Sequence, residues 1–286
     1  MRPNAIIAML ALAPLSLAAA RMDVIDVAAP SMNKTLKCSV LLPGAYDEAG
    51  GEIPVVYLLH GAGGTHMTLV SPVTSNAVDR YVFAIVCPWG GQSWWMDAPK
   101  ADSRFETWLV NDLMPIVETR YRVRKDRAGR GIAGSSMGGF GAHYIGIRHK
   151  DMFSAVGSVF GAFDLTKSPD AWGKSRLFGC SADGDGGRTE RSILNVSKSL
   201  SNGELMLIEL VGTSDFTLAE NRALHESLTK RGIAHSYVET RGLDDAASKH
   251  TYEFAWPAFD MILYAFDSHF NSNLKSKARQ DGQSRK

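Results

Sequence analysis

The feature that most constrains this chain is its rhythm of short apolar runs and longer amphipathic stretches. Thr35 to Leu42 alternates in the manner of a strand and stops at Pro43-Gly44. Val55 to Leu59 and Tyr81 to Cys87 are continuous apolar runs, as expected of strands buried on both faces. Phe105 to Tyr121 has helical spacing, with Trp108, Leu109, Leu113, Ile116 and Val117 on one side. Further strands are predicted at Gly131–Ala133, Ala155–Phe160, Leu205–Val211 and Ser236–Thr240, and helices at Phe140–Arg148, Leu218–Arg231 and Trp256–Phe270. Strands interleaved with helices predict an α/β fold with a mostly parallel central sheet covered on both faces.

Composition agrees. The 286 residues are 45% hydrophobic and 21% charged, an ordinary globular balance. A chain of this length buries about three quarters of its unfolded surface, so one large domain needs no staples. The net charge of +1 offers no field to concentrate nucleic acid, and no nucleic-acid partner is expected. The three cysteines, Cys38, Cys87 and Cys180, form no C-x-x-C pattern. Cys38 and Cys87 lie in strand-like runs and read as inert buried thiols. No cluster of His and Cys suggests a metal, and no cofactor is expected.

The chain divides into three parts. Residues 1–20 have a positive Arg2, an apolar run from Ala5 to Leu17, and Ala18-Ala19-Ala20 before Arg21. This is the layout of a secretory signal peptide cleaved after Ala20, which predicts a secreted or periplasmic protein with no stable membrane insertion after cleavage. Residues 21–270 form the predicted single domain. Within it, 164–203 holds Pro, Gly, Asp and Ser without a long periodic run and is read as a lid-like insertion. Its Asp183-Gly184-Asp185-Gly186 lacks the later Glu of a calcium loop and reads as an ordinary loop. Residues 271–286 carry a local charge of +4 and no apolar periodicity, which predicts a solvated, irregular tail.

Gly134-Ser135-Ser136-Met137-Gly138 fits G-x-S-x-G, with Ser136 between a predicted strand and a predicted helix. Small neighbours let the chain turn sharply there, and the turn places Ser136 Oγ at a helix N-terminus. Upstream, Leu58-Leu59-His60-Gly61-Ala62-Gly63-Gly64 runs a strand into a glycine-rich loop. Such a loop can aim the Ala62 N–H at an oxyanion, with Met137 N–H as its partner. His60 is expected to shape that loop. Asp215 ends the strand Leu205–Val211, and His250 lies in a polar loop before the closing helix. The order Ser136, Asp215, His250 suits a triad. Asp164, Asp244 and Asp245 compete for the acid's role, and His225, His235 and His269 for the base's. His60, Trp89, Trp94 and Trp95 are candidate substrate contacts, with Trp172 a further member of an aromatic wall.

Four landmarks carry a resemblance: Leu58-Leu59-His60-Gly61, Gly134 to Ala142, Gly212-Thr213-Ser214-Asp215-Phe216, and His250 to Trp256. From about Ser31 to Phe266 the chain resembles the esterase D-like family of α/β-hydrolases. That family includes S-formylglutathione hydrolases, tributyrin esterases, feruloyl and acetyl-xylan esterases, and mycolyltransferases. The resemblance implies a triad of Ser136, Asp215 and His250, with Ala62 and Met137 as oxyanion donors. The chain departs from it at Trp89, where members often carry Asp, and at Lys249, where the usual residue is Gly. The expected activity is hydrolysis of short acyl or aryl esters, feruloyl or acetyl groups on polysaccharide among them. A thioesterase, an acyltransferase and a catalytically silent binding protein are the alternatives.

Overall fold

In the computed structural model the described residues are 19–48, 50–100, 102–241 and 249–283, with side chains described to 275. The predicted signal peptide therefore lies outside them up to residue 18, as do Asp244 and Asp245. The α/β expectation holds. Eight strands form one sheet in the order β1-β2-β4-β3-β5-β6-β7-β8. They are β1 Arg21–Ala29, β2 Lys34–Leu42, β3 Val55–Leu59, β4 Ala84–Pro88, β5 Arg130–Ser135, β6 Ala155–Val159, β7 Met206–Gly212 and β8 Ser236–Thr240. β2 runs antiparallel to both its neighbours, and β4, β3, β5, β6, β7 and β8 pair in parallel.

Both faces of the sheet are covered by apolar cores, which is why β3 and β4 read as unbroken hydrophobic runs. Val55, Tyr57 and Leu59 of β3 point into one core, beside Trp108, Leu113 and Phe140 from the covering helices. Val56 and Leu58 point into the other, beside Val78, Phe259 and Phe266. The two faces are thus closed by different helices. Phe105–Thr107, Trp108–Leu113 and Met114–Arg120 follow one another as a helix with a π-helical middle, and Met137–Arg148 packs beside it in the same core. Pro72–Tyr81 and Tyr252–Gln283 cover the opposite face.

Three differences from the sequence reading have physical causes. β1 was not predicted, because Met22 and Val24 make its outward face apolar and blur the alternation with the buried Ile25, Val27 and Ala29. The helix Pro72–Tyr81 is started by Ser71, whose side chain pairs with Thr74 in a capping box, and by Pro72 in its first turn. It buries only Thr74, Ala77 and Val78, too little for a clear periodic signal. The tail is not irregular through its length: the closing helix continues from Tyr252 to Gln283. Nothing after Phe270 breaks it, and Leu274, Lys275, Lys277, Ala278 and Arg279 are all good helix formers.

The stretch 164–203 is folded as short helices, Lys174–Phe178, Arg188–Arg191 and Ile193–Val196, joined by tight turns. Arg188 ties them together. Its buried guanidinium donates to the Pro169, Gly179 and Asp185 carbonyls and lies over the Phe178 ring. A single buried cation thus satisfies carbonyls that the irregular backbone would otherwise strand. Cys38 and Cys87 are free and buried, as expected, and Cys180 is free and exposed. Cys38 faces one core and Cys87 the other, so the sheet itself separates them. Burial pushes the Cys87 thiol up to about 12 and raises that of Cys38 well above its ordinary value. Both stay as unreactive thiols.

Candidate active site

Ser136 stands between β5 and the helix Met137–Arg148 with φ +57°. A non-glycine residue in the left-handed region is strained, and here the surrounding packing holds it there. Its N–H donates to Val159 O, and its carbonyl accepts from Phe140 and Ala162. Glycine is required at two neighbours. A Cβ on Gly138 would lie 1.9 Å from Leu59 O, and one on Gly134 would lie 2.4 Å from the Gly138 carbonyl carbon. The turn can therefore close only when both side chains are absent.

The loop after β3 folds against this turn. A Cβ on Gly61 would stand 3.3 Å from Ser136 Cβ, so the two segments touch. Ala62, Ser136 and Met137 line one cavity of about 270 Å³. Met137 is the first residue of its helix, so its N–H has no carbonyl within that helix to bond. The positive end of the helix dipole faces the same space.

Asp215 and His250 meet there as the sequence order predicts. His250 Nδ1 lies 2.9 Å from Asp215 Oδ2 and 3.1 Å from Oδ1. The Asp215 carboxylate is buried and is fixed by two more donors, the Thr217 N–H and the Thr217 hydroxyl, each 2.8 Å from Oδ1. Asn221 then holds Thr217 through its carbonyl and hydroxyl, and reaches Gly161 O. The imidazole lies between two rings, Phe160 at 4.1 Å and Phe216 at 4.4 Å between centroids. One ring nitrogen faces the carboxylate, and His250 lines the cavity that holds Ser136. This geometry orients an imidazole to accept a proton at Nε2 while Asp215 holds Nδ1–H.

The other candidates are elsewhere. The Asp164 carboxylate accepts from the Thr166 N–H and hydroxyl. His225 Nδ1 and His235 Nε2 are 2.7 Å apart, and the His225 ring stacks on Tyr237. His269 bonds Asn273. None of these four residues lines the cavity of Ser136.

The aromatic wall is corrected in part. Trp94 and Trp172 line the cavity, but His60, Trp89 and Trp95 do not. His60 is buried beneath its loop. Its Nε2 accepts from Gly90 N–H at 2.9 Å, so Nδ1 carries the proton and donates to Gly61 O at 2.7 Å. Burial lowers its pKa to about 4 and keeps the ring neutral. Trp95 is fully buried, donates to His60 O at 3.2 Å, and packs where a Cβ on Gly90 or Gly141 would collide with its ring. Trp89 packs on the core from the side. These three residues build the loop's support rather than its surface. Phe160, Phe216 and Thr217 were not singled out from sequence as site residues. A phenylalanine or threonine beside a turn carries no spacing signal that marks it.

Sheet order, nucleophile turn and histidine loop together define an α/β-hydrolase. Residues 29–262 match the family described as "Putative esterase". The chain belongs to that family. An acetyl esterase from Caldicellulosiruptor saccharolyticus is 25% identical over 206 residues, 68% of this chain and 77% of that protein. An esterase of Mycobacterium tuberculosis is 31% identical over 140 residues, 45% of this chain and 30% of that protein. The match thus spans less than a third of the length of that relative. Among solved structures, a ferulic acid esterase superposes with a TM-score of 0.74 at 24% identity, covering 88% of this chain and 99% of that one. An S-formylglutathione hydrolase from Staphylococcus aureus superposes with a TM-score of 0.73 at 18% identity, covering 87% and 99%. These two superpositions speak to the fold.

Proposed function

We propose that the protein is a serine carboxylesterase that cleaves short-chain acyl or aryl esters through an acyl-enzyme on Ser136. The observation that carries this reading is the Asp215–His250 pair at 2.9 Å, in a cavity that also exposes the strained Ser136. Ser136 Oγ attacks the ester carbonyl. His250 Nε2 takes its proton and returns it to the departing alcohol. The Ala62 and Met137 N–H groups hold the oxyanion, each such donor contributing about 3 kcal/mol. Water then repeats the sequence on the acyl-enzyme, with His250 again as base.

The cavity's small volume and the kinship to an acetyl esterase support a short acyl group. The layout of residues 1–20 supports export, and the first strand of the sheet begins at Arg21, directly after the proposed cleavage point. An exported enzyme would meet polymer-linked or small extracellular esters rather than a cytosolic thioester. Mass spectrometry after treatment with a fluorophosphonate tests the nucleophile. The expected result is one adduct, on Ser136, absent from Ser136→Ala. Labelling of Ser135 or no labelling would refute it.

A further inference from the structure

Two further cavities adjoin the one around Ser136. The nearer, of about 280 Å³, shares Trp94, Ala162, Trp172 and Phe216 with it. The farther, of about 500 Å³, shares Asp164, Lys167, Ala219 and Glu220 with the nearer. The three lie in series, from the serine past an aromatic gate toward the helix Leu218–Lys230.

The gate is built of Trp172 and Phe216, stacked with centroids 5.8 Å apart and planes 19° apart. Both side chains keep much of their surface open to solvent, at 44% and 60% exposure, and so offer apolar area to a ligand. Behind them the chemistry changes. The Lys174 ammonium is buried, lies within 5.0 Å of the Trp94 ring centroid and 5.4 Å of the Trp172 centroid, and donates to Lys167 O. The Glu220 carboxyl accepts from Asp164 N–H, and forms no ion pair among the described residues. Burial raises its pKa to about 7, the mark of a carboxyl that lacks a full set of partners.

On the proposed serine mechanism, on which this inference rests, one end of the substrate is fixed. His250 must reach the leaving oxygen to protonate it. Phe216 lies against the His250 ring and also lines the nearer cavity. The leaving alcohol therefore departs on the side that opens toward Glu220. We propose that the cavity behind Trp172 and Phe216 is an alcohol subsite, and that it takes a neutral hydroxylated ring through Glu220 and Lys174. Flat apolar faces next to a convergent acceptor and donor suit such a ring. They do not suit an alkyl chain, which would leave the polar groups unpaired. Once Glu220 ionises, above about pH 7, two lysines, Lys167 and Lys174, face two acids, Asp164 and Glu220, so the lining then favours neither an anion nor a cation.

Two variants test the subsite without touching the triad. At about pH 8, above the point where Glu220 ionises, Glu220→Gln removes the acceptor charge, and Ala219→Trp, at an exposed position on the helix, fills the space. Each is assayed with p-nitrophenyl acetate, whose flat leaving group lacks ring hydroxyls, and with acetylated xylobiose, with melting temperature as a control for folding. For Glu220→Gln the expected result is kcat/KM for p-nitrophenyl acetate within about twofold of wild type and about a tenfold loss on acetylated xylobiose; Ala219→Trp, which also narrows the space for p-nitrophenol, should lower both, acetylated xylobiose by the larger factor. Equal losses on both substrates, no loss on either, or a wild type that cleaves only p-nitrophenyl acetate would overturn the subsite and leave the serine reading standing. A wild type inactive on both substrates would remove both.

Discussion

His250 Nδ1 sits between the two Asp215 carboxylate oxygens, at 2.9 and 3.1 Å, while two Thr217 donors hold one of those oxygens in place. The turn after β7 carries Asp215, and the loop before the closing helix carries the imidazole. The tautomer of His250 therefore depends on a charge fixed by a different part of the fold.

That dependence predicts the effect of Asp215→Asn. The amide keeps the shape but can donate toward Nδ1, which favours the wrong tautomer. The kcat for p-nitrophenyl acetate should fall by about 10³-fold or more with the circular dichroism spectrum unchanged. A fall of less than about tenfold would show that the pair does not orient the base.

The nucleophile turn predicts a contrast between two glycines. Alanine at Gly138 must displace Leu59 O, which would lie 1.9 Å from the new Cβ, so about 3 kcal/mol or more should be lost. Gly63 has a positive φ, +78°, and no atom lies within 4 Å of its Cβ position. Alanine there should cost about 1 kcal/mol. Urea unfolding of the two variants measures both values, and equal losses would contradict the steric account.

Glu220 predicts a pH dependence of stability. The folded protein holds its proton up to about pH 7, whereas an ordinary Glu titrates near 4.5. The folded state thus binds more protons between those values, and this residue lowers stability as pH rises through them. Gln cannot titrate. The melting temperature of Glu220→Gln relative to wild type should rise between about pH 5 and about pH 8. A constant or falling difference would show that the carboxyl is ionised in the fold.

The cysteines predict a simple titration. Only Cys180 is exposed. A thiol reagent should modify one thiol per native chain rapidly, and all three after unfolding in guanidinium. Rapid reaction of a second thiol in the native protein would place Cys38 or Cys87 nearer the surface than the sheet allows.

Much of this architecture was legible because burial on both faces writes itself into β3 and β4 as unbroken apolar runs. The positions of Ser136, Asp215 and His250 were legible because a strained turn demands glycines and because the proposed acid and base follow the ends of a strand or loop. The residues that tune the site left no such trace. Thr217 acts through a local bond to Asp215, and Phe216 through a ring contact with His250, and neither needs a particular spacing. The opposite error concerned Trp95 and the substrate-contact reading of His60, whose expected part in shaping its loop holds. Their residue types suggest chemistry at a surface, yet both are buried because their polar atoms find partners inside. The place of Trp172 in the cavity wall depends on the path of residues 164–203, which is held by Arg188 and not by any periodic pattern.

The most direct measurement is steady-state turnover of p-nitrophenyl acetate by wild type and Ser136→Ala, with melting temperatures taken in parallel. The account predicts measurable turnover by the wild type, a loss of about 10³-fold or more in the variant, and a melting temperature within a few degrees of wild type. A folded variant that keeps most of the wild-type rate would contradict it.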